Sequence, residues 1–303
     1  MDVSRHLKMS LSMKPMLSLR LPSPAKINLF LHITGQRENG YHDLQTIFQL
    51  LDFGDNLTFY PNESGKIHLK GNIEGVDEKN NLIIRAAKLL QISTDCTKGC
   101  TIELDKNLPL GAGLGGGSSN AATALVALNT LWECGLTEKS LARLGEKIGA
   151  DVPVFIYGQS AFAEGIGEIL TPIELPKKWF LVVTPDCQVS TEEVFSHPQL
   201  TRNSSPIKIR ALSGEQYRND CQSVVLKLYP AVKQVLDWME NFATPLMTGT
   251  GASVFCSFEN QREAENALSK VPKNWQAFVA KGENCSPLHQ QMRTFFTGAW
   301  PSG

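Results

Sequence analysis

Several features that mark other classes of protein are scarce or missing in this sequence of 303 residues. The formal net charge is −1, so the chain has no basic field to attract nucleic acid or an anionic lipid surface. No run of about 18 apolar residues occurs, and we therefore expect no membrane span. Internal repeats and low-complexity segments are also missing. These absences argue against nucleic acid and membranes as partners.

Cysteine is sparse and irregularly placed, with seven residues in all. Cys96 and Cys100 form a lone C-x-x-x-C pattern with no second pair nearby, which argues against a zinc site. An odd number of scattered cysteines is typical of reduced thiols, so we expect a cytoplasmic protein.

The residues that are present make up an ordinary core-forming composition, with 42% hydrophobic and 19% charged residues. This composition and the chain length allow one large or two ordinary domains. Residues 1–20 are basic and rich in Ser and Met, and we expect a disordered extension or tag there. Pro172 and the segment 175–178 mark a boundary, which predicts domains at 21–175 and 176–295.

The most informative stretch is 108–127, where a glycine-rich loop leads into an apolar helical pattern. Residues 100–105 alternate as in a strand, and Ser118, Ser119 and Asn120 suit the start of a helix. Glycines let the backbone bend sharply and approach a ligand closely. The free N–H groups at the helix start would then face one point, which attracts an anion, most often phosphate. The five glycines are Gly111, Gly113, Gly115, Gly116 and Gly117.

The common phosphate-binding patterns fit this stretch poorly. Residues 111–116 match G-x-G-x-x-G, but a dinucleotide-binding fold needs a second strand ending in an acidic residue about 20 positions later. The sequence there is helical through Trp132 and again from Thr137 to Ile148. No Lys follows the glycines directly, as a Walker motif requires, and the protein-kinase motifs are absent. A flexible linker is the other interpretation, although linkers do not usually open a long apolar helix.

The stretch 108–122 resembles the central ATP-binding motif of the GHMP small-molecule kinases. Pro24-Ala-Lys-Ile-Asn-Leu29 and Thr248-Gly-Thr-Gly-Ala-Ser-Val-Phe255 agree with the same superfamily, and the likeness spans 21–293. The resemblance implies a two-domain α+β fold, with an N-terminal α/β sandwich, a C-terminal ferredoxin-like domain and the active site between them. It also implies ATP as the phosphate donor together with Mg²⁺, whose protein ligands the sequence does not identify beyond Ser118 or Ser119 as candidates.

Four other segments resemble the branch of this superfamily whose substrate is linked to cytidine diphosphate. They are Gly40-Tyr-His-Asp-Leu-Gln-Thr-Ile-Phe48, Asn81-Leu-Ile-Ile-Arg-Ala-Ala87, Gly149-Ala-Asp-Val-Pro153 and Ser286-Pro-Leu-His289. The implied reaction is ATP-dependent phosphorylation of the 2-hydroxyl of 4-diphosphocytidyl-2-C-methyl-D-erythritol, in non-mevalonate isoprenoid precursor synthesis. We expect a monomer or weak homodimer. The alternatives are a mevalonate- or homoserine-type kinase, a non-catalytic nucleotide-binding protein and a dinucleotide-dependent oxidoreductase.

Lys26 and Asp151 are the candidate catalytic residues. A strand at 25–33 places Lys26 and Asn28 on one face, which either converges on a ligand or faces solvent. Asp151 lies in a turn before Pro153 and is either an ordinary turn residue or a general base. The resemblance implies that Lys26 lies beside Asp151, where a cation favours the ionised carboxylate, and that Asn28 lies at the substrate.

The resemblance also implies a set of nucleotide-binding residues. Asn81 and Leu82 are expected near the adenosine, although Asn81 is equally a good helix cap. Lys106 ends the strand before the glycine loop and could reach the phosphates or be a charge at a sheet edge. The loop residues expected to bind ATP are Pro109, Leu110, Gly111, Ala112, Gly113, Leu114, Gly115, Gly116, Gly117, Ser118 and Ser119.

The substrate is expected to lie among aromatic side chains. Tyr41 and His42 follow a polar turn, where they could be surface residues or could stack on a base and bind its edge. The resemblance places both at the cytosine, with Phe195 on the opposite side from Tyr41, although Phe195 could instead belong to a small core. Phe48 and Thr191 complete the expected substrate contacts.

Local patterns also predict the secondary structure around these residues. Alternation predicts separate strands at 44–51 and 57–60, and the apolar run 154–157 is interpreted as another short strand. A second glycine loop, 248–252, is expected to fold against the first and complete the pocket.

Overall fold

Two long antiparallel strands form the centre of the first sheet in this computed structural model, which describes residues 18–71, 77–208 and 217–295. Strand β1 runs Leu19–Gln36 and strand β2 runs His42–Asn62. Leu19 and Arg20, which were expected to belong to the N-terminal extension, are therefore strand residues, and residues 1–17 of that extension lie outside the described residues.

Strand β2 is continuous, so the prediction of two strands at 44–51 and 57–60 was wrong. The sequence suggested a break because Gly54 and Asp55 are typical of turns. Gly54 instead marks a close crossing of two backbones, since a Cβ atom there would lie 2.1 Å from the carbonyl oxygen of Ser23.

Four shorter strands and four helices complete the first half of the molecule. The strands are β3 (Ile67–Lys70), β4 (Gly99–Asp105), β5 (Ala161–Glu164) and β6 (Ile169–Pro172). β4 lies between β3 and β2, and β5 pairs with both β2 and β6. After a 3₁₀ turn at Glu78–Asn80, the helices are α1 (Leu82–Thr94), α2 (Gly116–Leu131), α3 (Glu138–Glu146) and α4 (Val152–Tyr157).

The glycine loop is followed by three helices before the next strand, in the fully described segment 116–160. This arrangement lacks the second strand that a dinucleotide-binding unit requires. Helix α2 is buried along almost its whole length, from Ser119 to Asn129. It therefore holds the loop against the core on a rigid support.

The segment 154–157 is helical, so its interpretation as a strand was wrong. Pro153 occupies the first turn of α4, where its fixed φ suits a helix and its missing N–H costs nothing. Val152, Val154, Phe155 and Ile156 are all buried, so no apolar periodicity distinguishes a helix from a strand here.

The second half of the molecule is a four-stranded antiparallel sheet with helices. The strands are β7 (Trp179–Thr184), β8 (Leu246–Met247), β9 (Val254–Phe258) and β10 (Gln276–Glu283). They pair in the order β10-β7-β9-β8. The helices are α5 (Thr191–Ser196), α6 (Gln222–Leu228), α7 (Pro230–Met239) and α8 (Gln261–Leu268).

The two halves are joined at strand β10. Its last residues, Gly282 and Glu283, pair with Leu51 and Leu50 of β2, so one hydrogen-bonded ladder crosses the junction. The chain then returns to the first half as helix α9 (Pro287–Phe295), whose Leu288 and Met292 pack in the first core. This last helix was not predicted. It belongs to the segment 176–295 in sequence but packs on the first half of the molecule.

The described residues contain no helix that is long and apolar enough to cross a membrane. All seven cysteines are free thiols, as the sequence led us to expect.

Candidate active site

The glycine loop leads directly into helix α2, which begins at Gly116 rather than at Ser118. Gly115 caps this helix with φ of 70°, and a Cβ atom there would lie 2.9 Å from the ring of Phe155. Gly113 has φ of 75°, and its Cβ would lie 2.3 Å from the carbonyl oxygen of Thr248. A side chain is therefore excluded at both positions by conformation and by space.

The second glycine loop packs on the first, as expected. The N–H of Ser253 donates to the carbonyl of Ala112 at 3.2 Å, and the hydroxyl of Thr248 donates to the carbonyl of Gly113 at 3.3 Å. The N–H of Asn28 donates to the same hydroxyl of Thr248 at 2.9 Å. Three segments distant in sequence therefore meet at Thr248.

Lys26 and Asp151 lie together, as the resemblance implied. The ammonium nitrogen of Lys26 is 3.2 Å from Oδ2 of Asp151, with the lysine side chain 4% and the aspartate 33% exposed. Strand β1 supplies the lysine, and its N–H donates to the carbonyl of Leu114 at 3.0 Å, which ties it to the glycine loop. A buried ammonium beside a partly open carboxylate suits a reaction at the carboxylate.

Asn28 links this pair to the neighbouring strand. Its Oδ1 accepts from the ammonium of Lys26 at 2.7 Å, and its amide donates to the hydroxyl of Thr46 at 2.9 Å. The ring of Phe48 lies beside the same ammonium, with its centroid 5.2 Å from Nζ. The ammonium is therefore held on three sides by Asp151, Asn28 and Phe48.

A cavity of about 860 Å³ brings most of the predicted residues together. Both glycine loops, the start of α5 and the turn between β1 and β2 contribute to its walls. The predicted site residues that line it are Lys26, Asn28, Tyr41, His42, Phe48, Gly111, Gly113, Gly115, Ser118, Asp151, Thr191 and Phe195.

Lys106 lies at the start of α2 rather than at a free sheet edge. Its ammonium is 2.7 Å from Oδ2 of the fully buried Asp55, and it is 3.3 Å from the place where a Cβ on Gly116 would be. Asp55 also accepts from the N–H groups of Asn107 and Leu108, each at 2.8 Å. The buried carboxylate therefore fixes both the loop and the lysine.

The remaining residues that were predicted to bind the nucleotide lie in or beside the glycine loop but do not line the cavity. Asn81 is buried and caps α1 by accepting from the N–H of Ile83 at 2.9 Å, and the side chain of Leu82 lies 3.4 Å from the place of a Cβ on Gly117. Ala112, Leu114 and Ser119 are buried, and the loop is completed by Pro109, Leu110, Gly116 and Gly117.

The aromatic residues lie at the other end of the cavity. Tyr41 is 59% exposed, while the rings of His42 and Phe195 stack with centroids 5.0 Å apart at 27°. The hydroxyl of Thr191, at the start of α5, lies 3.0 Å from that of Thr250 in the second glycine loop. Phe195 therefore lines this end of the cavity and also packs against the core of the second half of the molecule.

Two residues of this site were missed by reasoning from the sequence. Arg202 donates from Nε to Nε2 of His42 at 3.0 Å, and Asp55 supports the glycine loop as described above. Burial and the Arg202 cation lower the pKa of His42 below its ordinary value. Neither Arg202 nor Asp55 lies in a recognisable motif, so only the tertiary contacts reveal them.

Oxygen atoms suited to a divalent metal lie near the loop, but they do not form a closed site. Within the described ranges no group of three or more His, Cys, Asp and Glu side chains could hold a metal ion. The hydroxyl of Ser118 and the carboxylate of Asp151 both line the cavity. That oxygen set fits Mg²⁺, which keeps waters and binds through one or two protein oxygens plus substrate phosphates.

Comparison with known families gives two matches along the chain. The GHMP kinases N-terminal domain matches residues 81–159, and the GHMP kinases C-terminal domain matches residues 199–277. The two matched regions include the glycine loop, Asp151 and the second glycine loop, which also meet in space.

Comparison with individual proteins agrees with the family matches. The 4-diphosphocytidyl-2-C-methyl-D-erythritol kinase of Alkalilimnicola ehrlichii is 54% identical over 272 residues, 90% of this chain and 94% of that protein. The same enzyme of Aliivibrio salmonicida is 50% identical over 276 residues, 91% of this chain and 96% of that protein.

Solved structures show the same relationship at the level of the fold. A crystal structure of 4-(cytidine 5′-diphospho)-2C-methyl-D-erythritol kinase is similar with a TM-score of 0.78 and 32% identity, covering 88% of this chain and 100% of that one. Homoserine kinase from Cytophaga hutchinsonii shares the fold alone, with a TM-score of 0.63 and 15% identity over 94% of this chain and 98% of that one. By its matched domains and its close relatives, this chain belongs to the GHMP kinases, in the family of the 4-diphosphocytidyl-2-C-methyl-D-erythritol kinases.

Proposed function

We propose that this chain transfers the γ-phosphoryl group of ATP to the 2-hydroxyl of 4-diphosphocytidyl-2-C-methyl-D-erythritol. The observation that carries the proposal is the pair of Lys26 and Asp151, 3.2 Å apart in a cavity that also holds the glycine loops and an aromatic end. One cavity thus offers an anion site, a base and a place for a planar ring.

Asp151 acts as the general base. Its carboxylate is partly open to the cavity, so it can accept the proton of the substrate hydroxyl as that oxygen attacks the γ-phosphorus. The new bond joins the substrate oxygen to phosphorus, the bond from phosphorus to the bridging oxygen breaks, and ADP leaves with that electron pair. The proton of the hydroxyl ends on Asp151.

Lys26 positions the base and stabilises negative charge. Its ammonium is almost fully buried and already hydrogen-bonded to Asn28, so it has a fixed place when the phosphoryl group arrives. A fixed charge in a water-poor site stabilises a developing anion without reorganisation. Asn28 in turn is held by Thr46 and Thr248.

The triphosphate lies along the glycine loop and the start of α2. Gly113, Gly115 and Ser118 line the cavity there, and the positive pole of a 16-residue helix faces the same place. Lys106 adds a cation at the same helix start. Mg²⁺ bound to the nucleotide would neutralise phosphate charge. The hydroxyl of Ser118 and the carboxylate of Asp151 are the protein oxygens that would hold it.

The aromatic end is proposed to bind the cytosine. Tyr41, His42 and Phe195 line the cavity and offer faces on which a base can stack. Mevalonate and homoserine have no ring, so a kinase for either has no need of this set.

A coupled assay of ADP release tests the proposal. Purified protein with ATP and Mg²⁺ is given 4-diphosphocytidyl-2-C-methyl-D-erythritol, mevalonate or homoserine in parallel. We expect ADP release that depends on the diphosphocytidyl substrate and a product phosphorylated at the 2-position by NMR. Faster turnover of mevalonate or homoserine, or no release with any alcohol, would refute the assignment.

A further inference from the structure

Arg202 connects the two sides of the aromatic end of the cavity. Its Nη2 donates to the carbonyl oxygens of Phe195 at 2.8 Å and His197 at 3.0 Å, and its Nη1 donates to that of Leu200 at 3.2 Å. Its Nε donates to Nε2 of His42 at 3.0 Å. The guanidinium thus reaches from the segment after α5 to the first residue of β2.

This contact determines where the hydrogen of the imidazole lies. A guanidinium has five N–H donors and no acceptor, so the nitrogen that meets it must be an acceptor. Nε2 of His42 therefore carries a lone pair, and the hydrogen of the neutral ring is on Nδ1. Among the described residues Nδ1 makes no hydrogen bond, and His42 lines the cavity.

We propose that Arg202 is a positioning residue for base recognition: it holds His42 in the Nδ1–H tautomer, so that the imidazole offers the ligand a donor. The inference rests on the proposed function, in which the base is cytosine. Cytosine has acceptors at N3 and O2, whereas uracil has an N–H at position 3. A donor fixed on His42 therefore favours cytosine over uracil at N3.

The charges around His42 are consistent with a neutral ring. Asp43, next along β2, is paired with Arg37 at 2.7 Å, and Glu192 of α5 lines the cavity. The carbonyl of His197, in the segment after α5, is bound by Arg202. Arg202 is the cation that opposes protonation of His42, and a second hydrogen on Nε2 would point at its N–H donor.

Binding of free CDP tests the inference with the variant Arg202→Met. Without the guanidinium, the neutral imidazole can adopt the Nε2–H form that free histidine favours, and Nδ1 then meets cytosine as an acceptor. Loss of one such hydrogen bond predicts about tenfold weaker CDP binding by calorimetry near pH 8, whereas UDP binding should not weaken, because the N–H at position 3 of uracil can donate to Nδ1. Arg262→Met, at an exposed arginine of α8, removes the same charge and should leave CDP binding unchanged.

Acidification distinguishes this role from a merely structural one. A protonated imidazole carries hydrogen on both nitrogens, so lowering the pH to about 5.5 restores part of the donor in Arg202→Met, where burial still opposes protonation but the Arg202 cation is gone. We therefore expect the difference from the wild type to shrink at the lower pH. A deficit equal at both pH values would mean that Arg202 only holds the segment of Phe195, and the inference would fail.

Two further measurements test whether Arg202 acts through His42 and which nitrogen of His42 carries the hydrogen. In a His42→Ala background, Arg202→Met should weaken CDP binding little further, whereas additive losses would contradict action through His42. Nitrogen-15 spectra of the ligand-free protein should show Nδ1 protonated and Nε2 unprotonated, and the reverse pattern overturns the inference. If the wild-type chain shows that tautomer but binds neither CDP nor the diphosphocytidyl substrate, the proposed function fails and the tautomer assignment stands.

Discussion

The ammonium of Lys106 and the carboxylate of Asp55 form a 2.7 Å ion pair beneath the start of helix α2, with Asp55 fully buried. The pair is fixed by the tertiary structure, since Asp55 lies inside strand β2 and Lys106 directly follows strand β4. Asp55 thereby holds the ammonium of Lys106 at the start of helix α2, where the positive pole of the helix and the glycine loop already favour an anion.

Replacing Lys106 with Met should weaken nucleotide binding selectively. Losing one cation next to a polyphosphate predicts a rise of about tenfold in KM for ATP, with a smaller change in KM for the alcohol. Steady-state kinetics with each substrate varied in turn measures both constants. Lys88→Met, at an exposed lysine of α1, is the matched control. Equal effects of the two substitutions would contradict a phosphate contact.

Asp151→Asn should abolish most turnover while preserving the site. Asparagine keeps the size of the side chain but cannot accept the proton, which predicts a fall of roughly 10²–10⁴-fold in kcat. ATP affinity, measured by calorimetry without Mg²⁺, should change little because the glycine loop is intact. Asp105→Asn, which removes an exposed carboxylate paired with Arg20, serves as the control. Near-normal turnover of Asp151→Asn would remove Asp151 from the role of base.

Gly113→Ala and Gly111→Ala form an informative pair. Both residues have positive φ, but an added Cβ meets the carbonyl of Thr248 at 2.3 Å at position 113 and nothing within 4 Å at position 111. The left-handed conformation costs about 1–2 kcal/mol for alanine at either position, and overpacking adds about 1–3 kcal/mol at position 113.

Urea denaturation should therefore show a larger loss of unfolding free energy for Gly113→Ala than for Gly111→Ala. Activity should follow the same order, because the clash at position 113 separates the two glycine loops. Equal stability of the two variants would show that the second glycine loop can move away from the added Cβ without lowering the free energy of unfolding.

The thiols should differ in their reactivity towards alkylation. Desolvation raises the pKa of Cys100, Cys221 and Cys256 to about 12, so these thiols stay protonated and unreactive in the native protein at neutral pH. Cys96, Cys134, Cys187 and Cys285 are only partly buried and should react before the three buried thiols. Mass spectrometry after brief iodoacetamide treatment, with and without urea, gives the order. Rapid native labelling of Cys221 would contradict the packing described for it.

The parts of the site that the sequence could predict are those with special backbone requirements. Gly113 and Gly115 must be glycines because of backbone conformation and space, and the resulting run of glycines is visible in the sequence. The contact of Lys26 with Asp151 could be inferred only through the resemblance, because 125 positions of chain separate them and neither residue type is unusual in a strand or turn.

The errors came from short apolar runs and from contacts between distant segments. Val154, Phe155 and Ile156 of the run 154–157 are all buried within α4, so the composition of the run is compatible with either a strand or a helix. Separate strands were predicted at 44–51 and 57–60 because the close passage of Ser23 by Gly54 is not visible in the local sequence. Arg202 and Asp55 were missed for the same reason, since each acquires its role from partners at least 50 positions away.

The ladder between β2 and β10 limits how this enzyme can admit and release its ligands. Hydrogen bonds at Leu50 and Leu51 join the two halves of the molecule along one side. The two halves therefore cannot move apart as domains connected only by a flexible linker would. Exchange of nucleotide and alcohol must then rely on the rim: the turn at Gly40, the glycine segments and the start of α5. Stiffening that rim, rather than the ladder, is the change that would slow turnover at the step of product departure.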